Sequence, residues 1–200
     1  MFSHPVRFRV ETPRRMDRFA LAIRLVLLFA VGTIGCSSIY WVLYLAIPAL
    51  VALRISQKGG ALYRVEDGPR IVSALNWLAA AYAYLWLLTD APPSVPSPTV
   101  ELQVDLDATP TAGSAMSRIV LSLPALAVLA IASLGGGCLW LVGAVAILVY
   151  GRVPSTVTDL LTGMVRYQFR LAAYHLSLVD RYPTFDQAPA AQDASRSGTL

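Results

Sequence analysis

The sequence predicts a mostly α membrane protein made of two repeats. Each repeat has a short N-terminal strand, a transmembrane helical hairpin and an interfacial amphipathic helix. The composition is 56% hydrophobic and only 14% charged, which leaves too little polar surface for a soluble globule of 200 residues. Two apolar runs are each too long for a single crossing of the bilayer. Strand and arginine patterns recur along the chain, which indicates an internal duplication.

Two short stretches alternate between apolar and polar residues, as half-buried strands do. Residues Val6–Val10 are basic at their polar positions, whereas residues Val100–Val104 carry Glu101 and Gln103. Opposite charges on facing strands stabilise their pairing. We therefore predict that the two strands contact each other, which requires both to lie on the same side of the membrane.

The first apolar run covers residues 19–53, and its only charge is Arg24. As one helix it would be about 52 Å long, against a hydrocarbon layer of about 30 Å. Small residues near its middle, among them Gly35 and Ser37, favour a turn there. We predict a transmembrane hairpin, with Arg24 close enough to its start for the guanidinium to reach the lipid headgroups.

The second apolar run covers residues 119–150 and contains no charge. Gly135, Gly136 and Gly137 occupy its middle, where the first run has its own small residues. This arrangement predicts a second hairpin with its turn at the three glycines.

A third helix follows each hairpin, over residues 69–89 and 154–179. The later helix carries Arg166 and Arg170 on one face, a pattern typical of a helix lying in the membrane interface. The earlier helix has no charge between residues 71 and 89, so it is either buried by neighbours or spans the bilayer. Trp77 and Trp86 on it could face the membrane interface or a partner protein.

Basic residues gather at the ends of the apolar segments, which favours topology and lipid contacts over nucleic acid as the meaning of the net charge of +4. The positive-inside rule places both termini in the cytoplasm and predicts four spanning segments. The alternative is a six-span chain in which both third helices cross and the second strand lies outside. The basic residues on which the predicted topology depends are Arg7, Arg9, Arg14, Arg15, Arg18, Arg54, Lys58, Arg64, Arg70, Arg118, Arg152, Arg166, Arg170 and Arg181.

Residues that could carry chemistry are sparse. His4 and His175 lie in different segments, and we expect both to be solvated or to face headgroups. Cys36 and Cys138 sit inside apolar runs without metal-ligand spacing, and we expect both to be buried small hydrophobes. The sequence therefore predicts a protein with no catalytic residue, no metal and no cofactor.

The end of the chain carries a recognisable combination of residues. It comprises Tyr150-Gly151-Arg152-Val153-Pro154, then Arg166, Arg170, Ala173 and Tyr174, then Val179-Asp180-Arg181-Tyr182-Pro183-Thr184-Phe185. This combination resembles a bacterial membrane family known as domain of unknown function 4389. The resemblance implies an alternating strand, an apolar hairpin and an arginine-bearing helix, present here as two copies. It implies no activity.

The predicted organisation is a first membrane repeat over residues 1–90, a Pro-rich linker over 91–98, a second repeat over 99–186 and a disordered tail over 187–200. We expect a multi-pass protein of the bacterial inner membrane that is an accessory or scaffold subunit, with a small oligomeric transporter or channel as the alternative. Expected partners are anionic lipid headgroups and either a partner protein or further copies of the chain. The candidate contacts are Arg152, Arg166, Arg170, Arg181, Tyr182, Trp77 and Trp86.

Overall fold

A computed structural model describes residues 4–35 and 39–184. For residues 31–35 and 39–43 it describes the backbone only. The fold is mostly helical. In chain order the elements are β1 (Val6–Val10), α1 (Arg18–Gly35), α2 (Ile39–Lys58), the single-turn α3 (Gly60–Leu62) followed by a π-helical turn (Tyr63–Asp67), α4 (Gly68–Leu85), β2 (Val100–Val104), α5 (Ala112–Leu121), α6 (Leu123–Tyr150) and α7 (Ser155–His175). The predicted tail over 187–200 lies outside the described residues.

The two predicted strands form at the predicted residues and pair with each other. They are antiparallel, with Phe8 opposite Leu102 at the centre and Arg9 opposite Glu101. Their ends are closed by equivalent backbone hydrogen bonds, from Glu11 N to the Thr99 carbonyl (2.8 Å) and from Asp105 N to the Pro5 carbonyl (2.9 Å). The predicted contact between the strands is confirmed, and it brings the two halves of the chain together.

The main hydrophobic core lies on one face of this strand pair. Alternation buries Phe8 and Leu102 and leaves the charged residues between them in solvent. Helices α4 and α7 cover the buried face, with the Phe8 ring stacked on Phe169 at a centroid distance of 6.1 Å. On α4, the Asn76 amide bonds both backbone groups of Leu102, at 3.1 and 3.2 Å. The strand pair is thus covered by one helix from each half.

Helix α7 is a buried helix, so the prediction that it lies in the membrane interface is wrong. Most of its residues from Leu161 onward are buried, including Arg170 at 6% exposure. One side packs on β1, and the other lies along α6, where the Tyr167 hydroxyl donates to the Ala125 carbonyl (3.1 Å). Arg170, on the polar face of this helix, donates to the Thr184 carbonyl inside the protein (2.8 Å) and does not face headgroups.

Helix α6 runs unbroken through all three glycines, so the predicted second hairpin is also wrong. An added Cβ at Gly136 would lie 2.5 Å from the sulfur of the flexible Met164 side chain, which would have to move, and 3.2 Å from the Trp86 ring. Gly136 is therefore a buried position where α6 packs on α7, and it is not in a turn. The helix ends at Gly151, whose φ of 68° is in the left-handed region that favours glycine.

The long apolar helices pair across the two halves of the chain. Helix α2 packs on α5, through Val51 and Ile55 against Ala115. The C-terminal half of α6 shares a buried cluster with α1, through Leu21 and Ile147. The predicted turn of the first hairpin falls at residues 36–38, outside the described residues.

Many large apolar side chains of α1, α2 and α6 are exposed. Examples are Phe29 (80% exposed), Leu134 (77%), Phe19 (74%) and Ile131 (72%). Within residues 4–35 and 39–184, one helix is long and apolar enough to cross a membrane. That helix is α6, and only 17% of its most apolar window is buried. Cys138, which we expected to be buried, is exposed on this helix.

Candidate functional site

The first of two buried arginine clusters surrounds Arg24 on α1. Its side chain is fully buried, and Nη2 donates to the Thr89 carbonyl and to Asp90 Oδ1, both at 2.6 Å. The guanidinium lies over the Tyr84 ring, 4.4 Å from its centroid. The other oxygen of Asp90 accepts the backbone N–H of Asp17 just before α1 (3.0 Å). The sequence-based expectation that Arg24 reaches the headgroups is therefore wrong.

The second cluster surrounds Arg118 on α5. Its Nη1 donates to the carbonyls of Tyr174 (2.7 Å) and Val179 (2.6 Å), and its Nη2 pairs with Asp180. The guanidinium lies 4.6 Å from the centroid of the Tyr174 ring. Asp180 Oδ2 accepts the backbone N–H of Thr109 (3.1 Å), ahead of α5.

The two clusters have the same construction. In each, an arginine of an apolar helix reaches a tyrosine near the end of α4 or α7 and the aspartate that follows that helix. The backbone between tyrosine and aspartate is also alike, because Leu87 (φ 59°) and Ser177 (φ 56°) both adopt the left-handed conformation. Each cluster neutralises a buried charge and connects two helices, so its role is structural.

A third polar cluster joins α2, α7 and the junction between α5 and α6. The His175 ring stacks on Tyr44 (centroids 4.6 Å apart), and its Nε2 lies 2.9 Å from the Tyr44 carbonyl. Because a carbonyl only accepts, Nε2 carries a proton. His175 Nδ1 lies 3.3 Å from Ser122 Oγ, which is 2.6 Å from the Tyr44 hydroxyl.

Burial is the main cause that lowers the pKa of His175, so the ring is neutral and Nδ1 accepts from Ser122. We expected a solvated or headgroup-facing histidine, and the buried position (7% exposed) corrects this. Nearby, the Tyr63 hydroxyl donates to the Leu176 carbonyl (2.7 Å), and burial raises the pKa of Tyr63 to about 12. Tyr63 is therefore not ionised near neutral pH.

Three of the predicted contact residues meet near the N-terminal arm. Arg170 and Arg181 both act electrostatically on His4, whose pKa is lowered to about 4, first by burial and then by these two charges. The Arg170 Nη1 donates to the Thr184 carbonyl (2.8 Å), and the Tyr182 ring meets Tyr174 edge-on at 5.6 Å. His4 is 8% exposed, so the expectation of a solvated histidine is wrong here too.

The remaining predicted contacts are scattered. Arg152 is exposed beyond α6, Arg166 is half-buried on α7, and Trp77 is 49% exposed on α4. Trp86 packs between the main hydrophobic core and the apolar cluster that α1 shares with α6. The structure thus brings Arg170, Arg181 and Tyr182 together and leaves the other four apart.

The partners of Arg24 and Arg118 were not predicted from the sequence. The signal was present, because each half has an arginine early in an apolar run and an aspartate just after its third helix. No comparable sequence pattern indicated that Tyr44 and Ser122 would contact His175. Among the described residues, no group of three His, Cys, Asp or Glu side chains is placed to hold a metal ion.

A cleft of about 870 Å³ opens at the C-terminal end of α6. One wall is the segment 12–14 before α1, and the other runs from Tyr150 to Asp159. The hydrogen bond from Met16 N to the Gly151 carbonyl (2.9 Å) joins the walls. The charged residues that line it are Arg14, Arg152 and Asp159.

These features define a mostly helical protein with one helix suited by length and composition to cross a membrane. Residues 113–186 match the family described as Domain of unknown function (DUF4389), which supports the resemblance drawn from the end of the chain. The matched segment includes Arg118, Asp180, Arg181 and Tyr182. No curated protein and no solved structure matches the chain.

Proposed function

We propose that the chain is a non-catalytic integral protein of the bacterial inner membrane that serves as an accessory or scaffold subunit of a membrane complex. The observation that carries this proposal is the exposed apolar surface of α1, α2 and α6. Phe19, Phe29 and Leu134 are each more than 70% exposed. An apolar surface of this extent is stable in lipid or against a partner, and aggregates in water.

The proposed topology is multi-pass, with both termini in the cytoplasm. The positive-inside rule supports it, and so does the pairing of β1 with β2, which needs both strands on one side of the membrane. A single cysteine at Ser97, in a chain with Cys36→Ser and Cys138→Ser, tests the orientation. Labelling of this cysteine by an impermeant thiol reagent in inverted vesicles supports the topology. Labelling in intact spheroplasts overturns it.

We further propose that residues 1–90 and 99–186 are two copies of one unit joined by the linker 91–98. The equivalent arginine clusters support this, as do the symmetric strand pairing and the matching left-handed residues Leu87 and Ser177. In such a duplicated protein both halves can keep the same fold, while the surface of one half acquires a different binding role.

The surface of α4 supports a partner-binding role for the first unit. Trp77 (49% exposed), Leu78 (39%) and Tyr82 (37%) lie on this helix. Aromatic residues are enriched in protein interfaces, because they bury a large area with few rotatable bonds. On the equivalent helix α7, the aromatic side chains Tyr167, Phe169 and Tyr174 are buried, so α7 has no counterpart to this exposed aromatic surface.

Two experiments test the proposal. Carbonate washing of membranes separates integral from peripheral proteins, and release of the chain by the wash would contradict membrane integration. Affinity purification in mild detergent then tests the scaffold role. We expect a defined partner at constant stoichiometry with the wild type, loss of it with Trp77→Ala/Leu78→Ala, and retention with the control Val65→Ala, a change at another exposed position. A chain that always emerges alone contradicts the proposal.

The alternative, a small oligomeric transporter or channel, is favoured by the polar cluster of His175, Ser122 and Tyr44, where α2 and α7 meet the junction of α5 and α6. Ion or solute flux across proteoliposomes that contain the purified chain tests it. Flux that is lost in His175→Phe would support the alternative, and sealed vesicles would dispose of it.

A further inference from the structure

The cleft at the C-terminal end of α6 has a charge pattern that suits one kind of ligand. Arg14 stands on the wall before α1, while Arg152 and Asp159 stand on the wall after α6. All three side chains are exposed, and none of them pairs with a charged group among the described residues. The cleft therefore offers two cationic groups and one anionic group to a ligand.

The apolar surface leads directly to this cleft. Val145, Leu148, Val149 and Tyr150 on the last two turns of α6 are 55–73% exposed. Acyl chains lying along these residues would bring a lipid headgroup to the cleft mouth. The hydrogen bond between Met16 and Gly151 holds the two walls together at this level.

We propose that this cleft binds the headgroup of a zwitterionic aminophospholipid of the phosphatidylethanolamine type. Arg14 and Arg152 bind the phosphate, and Asp159 binds the ammonium group. Guanidinium–phosphate and carboxylate–ammonium contacts are charge-assisted hydrogen bonds and are stronger than neutral ones. The Asp159 carboxylate distinguishes this ligand from an anionic lipid, which has no cation to offer it. The proposal rests on the membrane integration proposed above.

At the equivalent turn at the end of α2, the two segments approach each other closely. There the Pro110 carbonyl oxygen lies 2.1 Å from the position that a Cβ on Gly60 would take, so the two segments are in contact. The chain continues into α3 and the π-helical turn, where Lys58 pairs with Glu66 (2.8 Å). We therefore expect one specific lipid per chain.

Native mass spectrometry of the full chain in mild detergent tests the proposal, with phosphatidylethanolamine and phosphatidylglycerol of matched acyl chains as probes. We expect the wild type to retain one phosphatidylethanolamine and to bind it about tenfold more tightly than phosphatidylglycerol. Asp159→Asn should abolish this preference and leave both lipids bound. Arg14→Gln/Arg152→Gln should weaken both lipids about tenfold or more. The control Arg54→Gln, at an exposed arginine of α2, should match the wild type.

Three results would overturn the site. They are tighter binding of phosphatidylglycerol by the wild type, an unchanged preference in Asp159→Asn, and unchanged binding in the double arginine variant. Because the substituted side chains are exposed, each variant should unfold at the wild-type temperature, which is measured alongside. If the chain resists the carbonate wash but gives one of these results, only the proposed lipid site is contradicted. A chain that the wash releases loses the membrane proposal itself.

Discussion

Arg24 Nη2 and Asp90 Oδ1 lie 2.6 Å apart although 66 residues separate them in the chain. The arginine side chain is fully buried, and the aspartate side chain is 25% exposed. Their contact attaches α1 to the segment that follows α4. Removing either partner should therefore loosen the same junction, at unequal cost.

Asp90→Asn should destabilise the protein more than Arg24→Met. The first change leaves a buried guanidinium without its counter-ion, and breaking a buried pair in this way costs about 3 kcal/mol. The second leaves a carboxylate that water can reach and that keeps the Asp17 N–H, so we expect about 1–2 kcal/mol. Unfolding in mild detergent, followed by tryptophan fluorescence, measures both. The reverse order would show that Arg24 is not buried.

The second cluster should tolerate the equivalent change better. Arg118 Nη1 donates to two carbonyls, whereas Nε and Nη1 of Arg24 have no acceptor among the described residues. Asp180→Asn thus leaves a guanidinium that is still partly satisfied, and we expect a cost of about 1–2 kcal/mol. Asp180→Asn and Asp90→Asn are a matched pair for the same unfolding measurement. Equal losses would mean that the carbonyls of Tyr174 and Val179 do not compensate.

The strands could be predicted from the sequence, and the helix packing could not. Alternation over five residues is a local signal, and the opposite charges of Arg9 and Glu101 pointed to the partner strand. The burial of Arg24 depends on Asp90, and periodicity within one segment carries no information about such a distant partner. The sequence therefore indicated the elements more reliably than their neighbours.

Helices α6 and α7 differ from the prediction for one physical reason. Glycines in an apolar run permit either a turn or close helix packing, and Gly136 against Met164 is the second case. Polar residues on α7 permit either a solvated face or internal partners, and Arg170 bonded to the Thr184 carbonyl is again the second case. Composition alone does not distinguish a turn from close packing, or a solvated face from internal partners, because the same residue types are found in both.

The stability of the protein should fall when the pH is lowered from 7 to 5, and His4 should account for part of the fall. Burial and the charges of Arg170 and Arg181 lower the pKa of His4 from 6.5 to about 4, so the folded protein keeps the ring neutral. The unfolded chain binds a proton as the pH falls below 6.5. The stabilisation is therefore complete above pH 6.5 and is lost progressively toward pH 4.

His4→Gln should make the unfolding temperature less dependent on pH between 7 and 5. The glutamine oxygen can still accept the Val6 N–H, which His4 Nδ1 accepts at 3.1 Å, so the variant should fold. His175→Gln is the comparison, because burial also lowers the pKa of His175 and its loss should reduce the pH dependence independently. A pH dependence that is the same in His4→Gln as in the wild type would contradict the burial of His4.

Leucine substitutions at the three consecutive glycines distinguish a straight α6 from a hairpin. An added Cβ meets no heavy atom within 4 Å at Gly135 or Gly137, but at Gly136 it would lie 2.5 Å from the Met164 sulfur and 3.2 Å from the Trp86 ring. In a straight helix, Gly136→Leu should cost about 1–3 kcal/mol through overpacking. Gly135→Leu and Gly137→Leu should be neutral or stabilising by up to about 1 kcal/mol, since leucine favours helix over glycine. Unfolding temperatures of the three variants in detergent give the answer. If the chain turned back at this point, all three would be destabilised, because a turn needs the conformational freedom of glycine and a straight helix does not.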